Sequence, residues 1–292
     1  MLALNGHSGP VTRIAYFPEG DGVVSLADDG TIRTWAPPEE IRTLGPFPKR
    51  MRTLMVTPQR KLIYAGDDGT VSQVDLAPAD AKPIRIPGLF AQITSLVNVD
   101  RLDAIAIGMG KVGTEQAGGI QFYCPSRPRA LPPISEMRGV WHMAYCRERN
   151  LLVWATGSRE LAIWELSRPD ARRVRLNQGA AAVAISPDGT SIAVTEDRNI
   201  RIFDSQQRSE RLILKGHQAA VRCVAFHPNG HLIATGSWDQ TIRLWDVATG
   251  AERYQLKLPV GKVHSICFAP DGLSAAVGGG DGLFLWDTDQ FV

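Results

Sequence analysis

Three residues in the C-terminal third of the chain have the side-chain types of a hydrolase triad, namely His217, Ser237 and Asp239. A serine nucleophile, a histidine base and an orienting carboxylate would carry out acyl transfer if the fold held them in hydrogen-bond contact. His7 and Asp29 stand in the same relation near the N-terminus, however, and a tryptophan follows each set. Because the pattern recurs, we interpret these residues as a structural hydrogen-bond network, and we predict no catalytic residues.

The remaining candidates give no metal or phosphate motif. The six histidines lack the H-E-x-x-H spacing of a zinc site, and the acidic turn at 28–30 lacks the alternating ligands of a calcium loop. The glycine run 278–282 leads into a predicted strand, whereas a phosphate loop needs a following helix. No two cysteines form a C-x-x-C pair, and Cys223 and Cys267 lie among apolar residues, which favours buried free thiols. We therefore expect no metal and no cofactor.

The composition is that of a globular protein with many turns. The 292 residues include 28 glycines and 19 prolines, and 44% of the residues are hydrophobic. A net charge of +2 gives no bulk attraction to nucleic acid or to a membrane surface. The chain has neither the basic start of a signal peptide nor a long apolar run. We expect a cytoplasmic protein that makes no membrane contact.

Internal repeats indicate how the chain is organised. Each unit consists of an apolar strand, a turn, a second apolar strand, a tight polar turn and a third strand, with a period of about forty residues. The clearest units are 9–35, 181–204, 219–246 and 261–287, and the weaker copies are 51–75, 93–123 and 139–165. The third strands are predicted to end at Trp35, Val74, Tyr123, Trp164, Phe203, Trp245 and Trp286.

The dipeptides that flank these units resemble the WD40 repeat family. Gly216-His217 precedes the sixth unit and Trp245-Asp246 ends it, and Gly6-His7 precedes the first unit. The resemblance extends over essentially the whole chain. It implies an all-β, seven-bladed WD40 β-propeller that forms a single domain over residues 1–292. The seventh unit has no room for its own fourth strand, so we predict that the N-terminal strand at residues 1–4 pairs into the last blade and closes the ring.

The resemblance also implies a buried row of hydrogen bonds inside the best-conforming blades. The predicted members are His7, Asp29 and Trp35 in the first unit, and His217, Ser237, Asp239 and Trp245 in the sixth. Loss of one member should cost about 1–3 kcal/mol, because its partner is left unsatisfied. Units that lack these residues are expected to depend more on apolar packing.

Partner binding is expected on the top face of the propeller, the rim to which the loops before each first strand and after each second strand belong. Arginine and tryptophan dominate many interfaces, and together they offer charged and aromatic anchors to an acidic or phosphorylated peptide. The candidate partner-binding residues are Arg50, Arg52, Trp141, Arg222, Trp238, Lys262 and His264. A glycine-rich insertion at 108–119 is predicted to protrude from the same rim, either as a further contact or as a neutral insertion.

The leading hypothesis is therefore a non-catalytic scaffold or regulatory subunit that binds another protein or peptide. Two alternatives stay open. The arginine-rich central face could bind nucleic acid, which a salt-sensitive affinity would reveal. A propeller can also act as an enzyme through its central channel, which would need converging titratable groups there.

Overall fold

The computed structural model describes residues 1–76, 81–86, 91–110, 118–124, 132–136, 138–168, 170–207 and 209–291. Within these ranges the chain forms seven four-stranded antiparallel sheets. The first strand of each sheet packs against the first strands of the two neighbouring sheets, so the sheets follow one another around a ring. The chain is therefore an all-β, seven-bladed β-propeller.

The strands are numbered in chain order, beginning with β1 at Leu2–Leu4. Blade 1 contains β2 Val11–Tyr16, β3 Val23–Ala27, β4 Ile32–Ala36 and β5 Glu39–Leu44. Blade 2 contains β6 Met51–Val56, β7 Lys61–Gly66, β8 Val71–Asp75 and β9 Ile84–Ile86. Blade 3 contains β10 Ile93–Val99, β11 Ala104–Met109, β12 Gly118–Tyr123 and β13 Ile134–Glu136.

Blade 4 contains β14 Val140–Cys146, β15 Leu151–Thr156, β16 Glu160–Glu165 and β17 Arg172–Arg175. Blade 5 contains β18 Ala180–Ile185, β19 Ser191–Glu196, β20 Asn199–Asp204 and β21 Glu210–Leu214. Blade 6 contains β22 Val221–Phe226, β23 Leu232–Ser237, β24 Ile242–Asp246 and β25 Glu252–Leu256. Blade 7 contains β26 Val263–Phe268, β27 Ser274–Gly279 and β28 Gly282–Asp287, together with β1. Two 3-10 helices at Asp100–Leu102 and Asp289–Phe291 are the helices of the described ranges, and both are far too short to span a bilayer.

The sequence pattern explains which strands lie inside. Every residue of β15, β19 and β23 is buried, because a second strand is covered by the neighbouring blades on both faces. The outer strand β25 is largely exposed and correspondingly polar. The Pro-x-Gly turns between first and second strands end on glycines such as Gly230 and Gly272, whose φ angles of 76° and 77° suit glycine.

The ring closes through the N-terminus, as the sequence predicted. Strand β1 pairs antiparallel with β28, and Leu4 lies opposite Leu283. The side chain of Leu4 is buried in a cluster that also contains Val11 and Trp35 of blade 1. The closing strand therefore joins the last blade to the first through backbone pairing and apolar packing.

The insertion predicted at 108–119 is shorter than the sequence suggested. Gly108 and Met109 belong to β11, Gly118 and Gly119 belong to β12, and Met109 pairs with Gly119. Residues 111–117, the remainder of the predicted protrusion, lie outside the described residues.

All four cysteines are free. Cys223 is buried and Cys267 is half-buried, and burial raises the pKa of each thiol to about 12. Both side chains are therefore neutral packing residues, as their apolar neighbours in the sequence indicated.

Candidate protein-docking face

The recurring His and Asp residues form the expected hydrogen-bond row in blade 1. His7 Nδ1 lies 2.9 Å from Asp29 Oδ2, and His7 Nε2 lies 2.8 Å from Ser25 Oγ. The indole N–H of Trp35 donates to the same Ser25 Oγ at 2.8 Å. Burial raises the pKa of Asp29, but hydrogen bonds from Thr31, His7 and the backbone outweigh it and lower that pKa to about 2.

Blade 6 repeats this row with one correction to the sequence-based prediction. His217 contacts Asp239 at 2.8 Å, and the hydroxyl that joins His217 to Trp245 belongs to Thr235, at 2.8 Å from each. Ser237, which was predicted to occupy that place, instead donates to the carbonyl of Ala219 at 2.9 Å. Thr235 and Ser237 are two residues apart on one strand and therefore share a face, so either hydroxyl would fit the sequence pattern. The pairing of β23 with β24 places Thr235 beside Trp245.

The same contacts account for the residues that resemble a hydrolase triad. The ring nitrogens of His217 are occupied by Asp239 and Thr235, and the Ser237 hydroxyl bonds the backbone instead of the histidine. Burial lowers the pKa of His217 below its usual 6.5, although the bond to Asp239 opposes the shift. The set is thus a buried structural network.

The boundary between blades 3 and 4 and the interior of blade 5 contain buried glutamates where apolar packing was expected. Glu136 of β13 accepts hydrogen bonds from Trp154 Nε1 and Arg173 Nη2, each at 2.8 Å. In blade 5, Arg201 pairs with Glu196 at 3.1 Å. Buried charges are tolerated when they are paired and hydrogen-bonded, so these networks replace the missing rows.

Four of the seven predicted partner-binding residues lie together at the junction of blades 6 and 7. The guanidinium carbon of Arg222 lies 4.9 Å from the centre of the Trp238 ring, and Lys262 Nζ lies 5.5 Å from it. The ring of His264 meets the same indole edge-on, with 6.3 Å between ring centres. Trp238 is 39% exposed despite these contacts, so one aromatic surface is available beside two cations.

The two arginines of blade 2 are neutralised by carboxylates that the sequence analysis did not assign as their partners. Arg50 pairs with Asp28 of blade 1 at 2.9 Å. Arg52 pairs with Asp67 of its own blade, and Gln92 donates to the same carboxylate at 2.7 Å. Burial raises the pKa of Asp67, but the bonds from Arg52 and Gln92 lower it overall. These arginines therefore present less free charge than their side-chain type suggests.

Trp141 is the second residue of β14 in blade 4, the position that Arg52 holds in β6 of blade 2. It lies apart from the group around Trp238. It is 59% exposed, which makes it the most exposed tryptophan of the described chain. None of the described ring or cation contacts includes it. The structure thus separates the predicted residues into a cationic aromatic group, two ion pairs and one isolated tryptophan.

Sequence reasoning missed Arg13, which lies at the central channel. The register of β2 shifts between Val11 and Arg13, and the buried residues Val11 and Ile14 are separated by two positions that are only partly buried. A bulge of this kind re-aims side chains, so Arg13 as well as Thr12 faces the middle of the ring. In the sequence, the apolar residues Val11 and Ile14 are three positions apart, whereas strict alternation would separate them by two or four. That spacing was the signal for the bulge.

The charge of Arg13 acts on titratable residues of three other blades. Its charge interacts with Arg222 of blade 6, with Arg50 and Arg52 of blade 2, and with His142 of blade 4. Burial lowers the pKa of Arg13, and these arginines lower it further. Burial and the charge of Arg13 together lower the pKa of His142 to about 3, so that histidine is neutral at ordinary pH.

The described residues contain no group of three or more His, Cys, Asp and Glu side chains arranged to hold a metal ion. Arg222 and Lys262 instead lie against the exposed indole of Trp238, and the charge of Arg222 acts on Arg13 of blade 1. This arrangement can bind an anionic group by charge-assisted hydrogen bonds and an aromatic or aliphatic group on Trp238.

Comparison with known proteins agrees with the architecture. The family model for the WD domain, G-beta repeat, matches residues 1–36, 177–204 and 208–246. Ribosome biogenesis protein BOP1 of Rattus norvegicus is 28% identical over 247 residues, which are 82% of this chain and 32% of that protein. Apoptotic protease-activating factor 1 of Rattus norvegicus is 23% identical over 267 residues, which are 79% of this chain and 21% of that protein.

A shorter stretch is more similar to a third relative. Guanine nucleotide-binding protein subunit beta-like protein 1 of Mus musculus is 35% identical over 91 residues, which are 29% of this chain and 28% of that protein. The chain thus spans less than a third of the length of these three curated relatives. The stretches that match the family model lie in the closing strand β1 and in blades 1, 5 and 6 of the ring, so the chain is a seven-bladed β-propeller that contains WD40 repeats.

Proposed function

We propose that this propeller is a non-catalytic scaffold that binds an acidic segment of another protein on its top face, in the cytoplasm. WD40 propellers generally bind other proteins, and that general role is the starting point. The observation that carries the proposal is the group formed by Arg222, Trp238 and Lys262, which combines two cations with one exposed indole. Such a group offers a large contact area together with directional charge.

Trp141 supplies a second aromatic anchor on the same proposed face. Because it lies in blade 4 and Trp238 lies in blade 6, an extended segment that reaches both would pass along the inner rim of blade 5. An acidic side chain of that segment that points into the channel would meet Arg13. Charge complementarity of this kind favours fast association and selects against basic partners.

A nucleic-acid role has less support, because two of the arginines that motivated it are paired. Arg50 bonds Asp28 and Arg52 bonds Asp67, so the continuous basic arc that would follow a phosphate backbone is interrupted. A filter-binding assay with single-stranded and double-stranded DNA tests the alternative. A tight affinity that falls steeply with salt would favour nucleic acid over protein.

The proposal is tested by affinity purification from the native source with quantification of co-eluting proteins. The variant R222E/W238A/K262E should lose the specific partner. The matched control R85E/R172E/Y254A places similar changes on exposed positions of the outer strands and should retain it. If every co-eluting protein is retained equally by both variants, the top face at blades 6 and 7 is not the docking surface.

A further inference from the structure

The cations around the channel mouth differ in how their charge is balanced. Arg50 and Arg52 each have a carboxylate at ion-pair distance. Among the described residues, no carboxylate lies within ion-pair distance of Arg13, Arg222 or Lys262. The unbalanced charges come from blades 1, 6 and 7, which are consecutive around the ring.

Arg13 is the most unusual of the three because it is held inside the ring. Its Nη1 donates to the backbone carbonyl of Thr12 at 2.8 Å, and this is the hydrogen bond that the guanidinium makes within the described chain. A guanidinium has five N–H donors, so most of its bonding capacity is open to the channel. Placing a poorly paired cation near other cations is unfavourable, and proteins usually offset that cost with an anion.

Trp238 holds the other two cations near one another. Arg222 and Lys262 approach the same indole, from β22 and from the loop before β26 respectively. Arg13 in β2 and Arg222 in β22 lie at the register shifts of the first strands of their blades, and the first strands pack on one another around the ring, so both arginines belong to the same channel mouth. Arg222 is exposed and can reorient toward such a ligand without unfolding its strand.

The chemistry of three cations indicates which anion fits best. A carboxylate carries a single charge, whereas a phosphate monoester carries about −1.5 to −2 charges and three strong acceptor oxygens. Arginine forms bidentate bonds with phosphate oxygens, and lysine adds a point charge. The dianion therefore matches the set better than an acidic side chain does.

We propose that the channel mouth is a binding site for a phosphate monoester carried by a side chain of the partner, with Arg13, Arg222 and Lys262 as its cationic ligands. The proposal rests on the proposed function, since it names the chemistry recognised on the same face. It makes Arg13 the residue that determines specificity for phosphate over carboxylate. The aromatic surface of Trp238 then contacts the residue next to the phosphorylated one.

The site is tested with the full chain and with small probes at constant ionic strength. Isothermal titration and thermal shift are measured with phosphoserine, inorganic phosphate, serine and acetate, with sodium chloride keeping the ionic strength fixed. Phosphoserine and inorganic phosphate should bind saturably and raise the melting temperature. Serine and acetate should bind at least about tenfold more weakly, because they lack the dianion.

Substitutions of single arginines then test which side chains bind the phosphate group. R13Q and R222Q should each weaken phosphoserine binding about tenfold or more, whereas R85Q on the exposed outer strand β9 should leave it unchanged. If R13Q does not fold, the phosphoserine affinity of R222Q decides the test, because Arg222 is exposed and its substitution should not disturb folding. The proposal is overturned if phosphoserine has no more effect than chloride, if R222Q binds it as the unaltered chain does, or if an oligonucleotide binds where phosphoserine does not.

The two proposals fail in different ways. If the R222E/W238A/K262E variant loses its protein partner but the unaltered chain does not bind phosphoserine, the docking face stands and the phosphate site is wrong. If phosphoserine binds and R222Q weakens it, while the partner is retained by the triple variant, the phosphate site stands and the protein docks elsewhere.

Discussion

Blades 6 and 7 are neighbours that carry the same proposed site, yet their interiors are held together differently. In blade 6 the indole N–H of Trp245 bonds Thr235, and His217 and Asp239 complete the row. In blade 7 Trp286 is equally buried, but its Nε1 has no hydrogen-bond partner among the described residues. A buried tryptophan at this position therefore does not by itself imply the polar row.

The strand register gives the reason for the difference. Trp245 lies opposite Ile233, and the hydroxyl that it bonds is two residues further along β23, at Thr235. Trp286 lies opposite Ala275, so the matching residue of β27 is Val277. Valine fills the space but offers no acceptor. Blade 7 consequently depends on apolar packing and on the N-terminal strand that closes it.

The largest expected effect comes from removing that closing strand. Deletion of residues 1–6 should lower the free energy of unfolding by about 3–5 kcal/mol, because it exposes the apolar cluster around Leu4 and removes the β1–β28 hydrogen bonds. Thermal denaturation measures the loss, with the exposed substitution L2A as the control. A truncated chain that melts at the same temperature as the intact one would show that β1 does not hold the ring.

The next effect distinguishes the two tryptophans directly. W245F should destabilise the protein by about 1–3 kcal/mol, because it leaves the buried hydroxyl of Thr235 without the indole donor. W286F removes an indole that makes no described hydrogen bond and should cost clearly less. Urea denaturation of both variants provides the comparison. Equal losses would mean that ring volume, and not the hydrogen-bond row, sets the cost.

A smaller effect of opposite sign is expected from supplying the missing hydroxyl to blade 7. V277T should raise the free energy of unfolding by about 0.5–1.5 kcal/mol, since the Trp286 N–H gains an acceptor of similar shape. The same substitution in a W286F background should give no gain. If V277T stabilises both backgrounds alike, or destabilises the chain, the proposed pairing of the two positions fails.

The smallest expected effect is the part of the pH dependence of stability that arises in blade 6, in addition to the part from His142, whose pKa is lowered to about 3. Burial lowers the pKa of His217 below 6.5, so the unfolded chain takes up a proton first and stability falls as the pH drops below 6.5. Hydrogen bonds lower the pKa of Asp239 to about 2 against the opposing effect of burial, so its contribution persists above pH 3.8 and is lost toward pH 2. H217Q should make the decline between pH 6.5 and 5 shallower, and the exposed H231Q should not change it. Identical slopes in urea denaturation would refute this origin.

Much of the architecture followed from the sequence. A period of about forty residues and Pro-x-Gly turns divided the chain into seven units, and the resemblance of those units to the WD40 repeat predicted seven blades. The continuous apolar strands agree with sheets that are covered on both faces. The count of outer strands predicted closure by the N-terminus, and β1 does pair with β28. These features are properties of local pattern and strand count, which the linear sequence carries in full. The roles of Arg222, Trp238 and the other top-face residues in partner binding stay predictions.

Tertiary structure alone decided the details that depend on register and on neighbouring blades. Thr235 rather than Ser237 completes the row, because both share a strand face and only the pairing with β24 tells them apart. Arg50 is neutralised by Asp28 of the preceding blade, a contact that neither residue's own unit reveals. Arg13 reaches the channel through a bulge that strict alternation conceals. The free charge at the mouth of this propeller is decided in this way, by which carboxylates the folded blades place beside each arginine.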